Sequence, residues 1–176
     1  MIHLSSVKAR GARLADRWHG WRATRGTDTV PGFVAPPEPR TIGAFARGRQ
    51  LIAGNYLFAG TLIRAPGTGL WDLEAPDPEF AAHLHGFAWL DDLAAVGDLR
   101  ARDRAQEWLW DWIARFGRGR GPGWTPALTG RRLIRWINHA QFLQRGVTEE
   151  QDAAFFRALA QQARFLSRRW RGAAPG

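Results

Sequence analysis

Cysteine is missing from the 176 residues, and methionine and tyrosine are single. Without a thiol there can be no disulfide, no thiolate zinc site and no cysteine nucleophile, and the redox compartment is left open. Lysine is almost missing as well, since every basic residue except Lys8 is arginine. A GC-rich coding bias produces that pattern as readily as selection for binding does, so arginine number argues weakly for a ligand. Long apolar runs are also lacking: no stretch approaches the roughly 18 uncharged apolar residues that a membrane span requires. The amino terminus passes from Lys8 into Arg10, Arg13, Asp16 and Arg17 without the apolar core of a secretory signal. These absences predict a soluble cytoplasmic protein, with a periplasmic location as the alternative, and no membrane partner.

What is present is apolar and aromatic. Hydrophobic residues make up 45% of the chain and ten are tryptophan, enough for one packed domain and against a disordered chain. The net charge of +9 is unevenly spread. Residues 1–70 carry 10 basic against 3 acidic side chains, residues 71–112 carry 3 against 10, and residues 113–176 carry 12 against 3. Such blocks favour a polyanion partner, an acidic glycan or nucleic acid. They equally allow the acidic middle to neutralise its basic neighbours within the fold.

Helix punctuation organises the chain. Residues 5–24 predict a first helix with Val7, Leu14, Trp18 and Trp21 on its apolar side, broken by Gly26 and Thr27. The proline-rich stretch 30–40 predicts an extended arm. Residues 51–64 mix β-formers with glycine and predict a short two-stranded hairpin. Asp77-Pro78 starts a helix that Gly97 closes, and Asp98 caps the next, whose Ala101, Ala105, Trp108, Leu109, Trp112, Ile113 and Phe116 recur at helical spacing before Gly117. Thr125-Pro126 opens the next helix, with Leu133, Trp136, Ile137, Ala140 and Leu143 on one face before Gly146. Thr148 with Gln151 is a capping box for the last, which packs through Phe155, Phe156, Leu159, Ala163, Leu166 and Trp170. Four helices with short connections predict antiparallel hairpins.

Trp110 lies opposite Trp108 and Trp112, so its helix is apolar on two sides. It is either sandwiched between layers, as in an α/α toroid or solenoid, or presents an indole to a ligand. The chain stops just past a helix with Trp170 in need of cover, which predicts a fragment of a longer protein.

The segments Glu38 to Gly43, Gly69 to Leu73, His83 to Leu93 and Gly130 to His139 together resemble the amino-terminal part of heparinase II/III family proteins, through an overall pattern of Trp, Arg and helix spacing. The resemblance implies a mainly α fold: antiparallel hairpins that start an incomplete (α/α) toroid, with the hairpin near 51–64. It divides the chain into an amino-terminal helix and Pro-rich arm (1–40) and a partial toroid (41–176) whose continuation and β-sandwich are absent. The activity it implies is β-elimination by a polysaccharide lyase on uronic-acid chains such as glycosaminoglycans, without cofactor or metal, with the catalytic residues beyond Gly176 and this piece alone inactive. The partners implied are an acidic polysaccharide and the missing carboxy-terminal part. The alternative is a non-enzymatic helical module that binds a polyanion, nucleic acid being the less favoured one for want of a recognised motif.

Five residues are candidates for substrate binding: Arg131, Arg135, Asn138, His139 and Trp110. Spacings of four and three place Arg131, Arg135 and Asn138 along one helix face, where an amide and two guanidiniums could hold a uronate. The same face could instead pair with the acidic segment 71–112. His83 and His85, two apart, diverge on a helix and suit packing rather than a shared metal. Tyr56 sits in the hairpin with no base in view. The Gly117–Gly123 run, with Arg118 and Arg120, suits a flexible connection between helices that could also touch a polyanion.

Overall fold

The structure, a computed structural model, describes residues 2–25, 30–35, 37–38 and 40–170, with side chains from Arg10 onward. The break expected at Gly26 and Thr27 lies outside the described residues. Eight helices carry the described fold: α1 (Ile2–Ala23), α2 (Phe45–Ile52), α3 (Pro78–His85), α4 (Ala88–Val96), α5 (Leu99–Phe116), α6 (Pro126–Asn138), α7 (Ala140–Gln144) and α8 (Glu149–Arg169). One hairpin, β1 (Asn55–Phe58) and β2 (Thr61–Arg64), forms a two-stranded antiparallel sheet with Leu57 opposite Leu62. The fold is therefore mainly α with a small sheet.

Local chemistry accounts for the starts of these elements. The Asp77 carboxylate accepts from the Phe80 amide at 2.7 Å and Asp98 accepts from Ala101 at 2.8 Å, each satisfying an amide that the first turn leaves without a partner. Thr148 and Gln151 close their reciprocal capping box. Ala59 and Gly60, both at positive φ, make the two-residue hairpin turn.

Three expectations need correction. The stretch 77–97 is two helices, because Gly86 ends α3 and Phe87 takes a left-handed conformation (φ 60°) that redirects the chain into α4. For a non-glycine residue that conformation costs about 1–2 kcal/mol. The Phe87 ring, fully buried among Trp71, Trp89, Trp112 and Trp136, offsets the cost by packing. The helix expected from Thr125 to Gly146 likewise breaks at His139 into α6 and α7. The apolar opening of 51–64 belongs to a helix, α2, that the β-formers concealed.

Packing centres on indoles. Six of the ten tryptophans, Trp71, Trp89, Trp108, Trp112, Trp124 and Trp136, are buried. Their rings meet edge-on, except the stacked pair Trp112–Trp124, each such pair adding about 0.5–1.5 kcal/mol beyond area burial. Helix α4 is the hub, lying against α2, α3, α5 and α6, while α8 packs on both α6 and α1. The buried stripe of α6 runs through Thr129, Arg132, Leu133 and Trp136, rotated from the predicted one, so that Ile137 is exposed. On α8, Ala163 and Trp170 are exposed where they were expected to pack.

Candidate functional site

The break between α6 and α7 sits beside the carboxylate pair Asp91-Asp92 on α4, and the segment Thr41–Ala44 crosses both. Gly43 makes the crossing possible, since a Cβ there would collide with the backbone of Asp91 and Asp92. Asp92, buried, accepts from the Ala44 amide at 2.7 Å, so the start of α2 is capped from a different helix. Gly48 lies equally close to the Asp92 carbonyl.

Asp91 gathers three donors. Arg135 Nε reaches Oδ2 at 2.8 Å, and Thr41 Oγ and His139 Nε2 reach Oδ1 at 2.8 and 2.9 Å. Burial alone would push the Asp91 carboxyl up, but the hydrogen bonds from His139, Arg135 and Thr41, with the Arg135 charge, outweigh it and hold the group below its ordinary value. An ionised carboxylate only accepts, so His139 carries its proton on Nε2. The Thr41 hydroxyl also gives its proton to Asp91, which makes the arrangement a clamp on the arm.

A cavity of ≈470 Å³ opens beside this clamp, lined by Thr41, Asp91, Arg102, Asn138, His139, Phe142 and Arg145 among others. Its acid is fully engaged, whereas Arg102 and Arg145 form no ion pair among the described residues, so the cavity has a positive bias and an apolar wall. Of the five sequence candidates, Asn138 and His139 line it, and Arg135 reaches its edge through Asp91. Arg131 is exposed and lies off the cavity lining. Trp110 is half-buried against the core, eight residues beyond Arg102 and so about 12 Å along α5. Among the described residues no group of three His, Cys, Asp or Glu side chains could hold a metal ion. Tyr56 is buried and donates to the Thr68 carbonyl at 3.0 Å.

Sequence reasoning missed Arg132, the most unusual charge in the molecule. Its side chain is fully buried, with donors to Gln162 (2.6 Å), the His85 and Gly123 carbonyls (3.0 Å each) and Thr129 (3.3 Å). The guanidinium lies 4.1 Å from the Trp112 ring centroid, with no carboxylate beside it. Burial brings its pKa down to about 9. The available signal was its spacing of four from Trp136, on the buried stripe.

The charge blocks answer one another in part. Arg47–Asp92, Arg49–Asp98, Arg115–Asp72 and Arg135–Asp91 each join the acidic segment to a basic flank. Part of the charge that suggested a polyanion partner is thus spent inside the fold.

No protein-family model matches the chain, and no solved structure matches it. It is 33% identical over 167 residues to FtsZ-localized protein C of Caulobacter vibrioides, an alignment covering 92% of this chain. The chain spans 29% of that relative's length. This similarity overturns the heparinase II/III resemblance, and with it the polysaccharide lyase, the glycosaminoglycan substrate and the acidic polysaccharide partner. The polyanion-binding module is unsupported as well. The Trp and Arg spacing behind the resemblance belongs to a buried indole core and to intramolecular ion pairs, which a stack of Trp-rich helices needs whatever its function.

Proposed function

We propose that this chain is a helical association module that brings its protein to FtsZ at the site of cell division, through protein–protein contact in the cytoplasm. The observation that carries the reading is the 33% identity with FtsZ-localized protein C over nearly the whole chain. No helix among the described residues is long and apolar enough to cross a membrane, which is compatible with that location.

The cavity at the α6–α7 break is the contact site in this reading, with Asn138 and His139 on its wall and Arg135 holding its shape. Arg102 and Arg145 would receive a carboxylate side chain of the protein partner, and Phe142 an apolar neighbour of it. Support comes from the two arginines that lack an acid beside a cavity whose own aspartate is saturated.

The proposed organisation keeps residues 1–40 as a helix and arm strapped onto a helical unit of 41–176. The Arg169–Asp16 pair, at 2.9 Å, supports the strapping. It also treats the helices as one sector of a larger α/α array such as a toroid, supported by exposed Ile134 and Ile137, three apart on α6.

The test is a pull-down of the purified chain by purified FtsZ. Capture by FtsZ, weakened about tenfold by Arg102→Gln with Arg145→Gln, is the expected result, because two charge-assisted hydrogen bonds are removed from a partly enclosed site. Absence of capture, or capture indifferent to the pair, would contradict the reading or its site respectively.

A further inference from the structure

A second cavity, of ≈520 Å³, lies between α1 and the body of the fold. Its floor is His85, only 6% exposed, and its walls are Ala82, Trp124 and Leu128. Arg13 and Arg17, four apart on α1 and both exposed, stand at its mouth. Close approach of Gly20 to Gly119 seals α1 against the 117–123 loop, since a Cβ on Gly20 would come within 2.5 Å of the Gly119 carbonyl oxygen.

The His85 ring is half used. An indole N–H can only donate, so the 3.4 Å contact from Trp112 makes His85 Nδ1 an acceptor. The neutral ring then carries its proton on Nε2. Burial and the Arg132 charge hold the histidine neutral, with a pKa down at about 4. No protein acceptor meets Nε2 among the described residues, that nitrogen is not fully enclosed, and the His85 side chain lines this cavity. A donor at the floor of a cavity with no protein partner is the kind of group a ligand completes. At the mouth, Asp16 is taken by Arg169, which leaves Arg13 and Arg17 without an acid among the described residues.

We infer that this cavity binds an amphipathic monoanion: an acidic group between Arg13 and Arg17, an apolar, preferably aromatic body against Trp124 and Leu128, and a hydrogen-bond acceptor at the far end on His85 Nε2. The volume suits a ligand of that kind, within the usual 300–1,000 Å³ of small-molecule sites. The site is separate from the clamp at Asp91 and does not depend on the FtsZ reading.

The experiment titrates the chain with 6-hydroxy-2-naphthoate by calorimetry and by quenching of tryptophan fluorescence. Saturable one-to-one binding is expected. It should weaken about tenfold in Arg13→Gln with Arg17→Gln, surface changes that spare the core. It should weaken about fivefold for 2-naphthoate, which lacks the hydroxyl that meets His85, and vanish in Ala82→Trp, which fills the cavity, provided that variant keeps the parent's circular dichroism. No saturation at millimolar acid would overturn the proposal, and so would equal affinity in the arginine variant. Because no protein partner enters the titration, its failure leaves the FtsZ reading standing.

Discussion

Arg132 and His85 show how much of this fold rests on two polar side chains inside an aromatic core. Arg132 supplies donors to four buried acceptors. Removing it leaves the buried His85 carbonyl without its donor and the Gly123 carbonyl with only the Thr129 hydroxyl at 3.5 Å. Arg132→Met is expected to destabilise the protein by about 3 kcal/mol in urea unfolding, despite replacing a buried charge with an apolar chain, because each unsatisfied buried acceptor costs about 1–3 kcal/mol. Lysine should not rescue it, lacking the planar fork that reaches all four. For His85 the folded pKa, down at about 4, lies below the ordinary 6.5. The unfolded chain therefore binds more protons between those values, and stability falls as pH drops from about 6.5 towards 4. The size is about 3 kcal/mol at the acid end. Urea midpoints at pH 7.5 and 4.5 should show the loss in the parent and a smaller one in His85→Gln. The sequence showed His85 as a packing residue, since no i, i+4 partner accompanied it, but not Arg132, because a charged residue on an apolar stripe reads as its edge until the stripe's orientation is known.

Between elements, the tightest joint is α2 on α4. Gly48 has no room for a side chain: a Cβ there would meet the Asp92 carbonyl and the Val96 methyl. Gly48→Ala should therefore destabilise by about 2 kcal/mol, although alanine favours helix by about 1 kcal/mol. A melting temperature equal to the parent's would show that the two helices can separate at little cost. The caps at Asp77, Asp98, Thr125 and Thr148 were legible because capping depends on residues within four positions. Both interior breaks were not. The turn at Phe87 uses a residue that avoids left-handed backbone on its own and is held there by indoles distant in sequence, so no local signal marks it. The break at His139 is fixed by Asp91, 48 positions away. Helix α2 was hidden by the β-branched and aromatic residues next to it, whose preference is decided by what they pack against.

Across the described residues, charge blocks that look like a binding signature are answered in part by pairing between basic flanks and the acidic middle. Surface pairs of this kind contribute little singly. Breaking one should matter most where exposure is low, at Arg135 and Asp91, whose side chains are 23% and 13% exposed. Arg135→Gln is expected to loosen the Thr41–Ala44 crossing, read as faster amide exchange of the Ala44 amide. Mainly helical architecture was legible from periodicity, and the hairpin from β-formers mixed with glycine. The functional reading was not, because Trp-rich helices with arginine at their edges satisfy the packing needs of many unrelated proteins, and similarity over 167 residues carries information that composition does not.

The most direct measurement is fluorescence imaging of this chain, tagged, in Caulobacter vibrioides cells carrying labelled FtsZ. The account predicts that the chain coincides with FtsZ and that Arg102→Gln with Arg145→Gln disperses it. A folded chain spread evenly through the cell, whatever the state of those arginines, would contradict the association on which the functional reading rests.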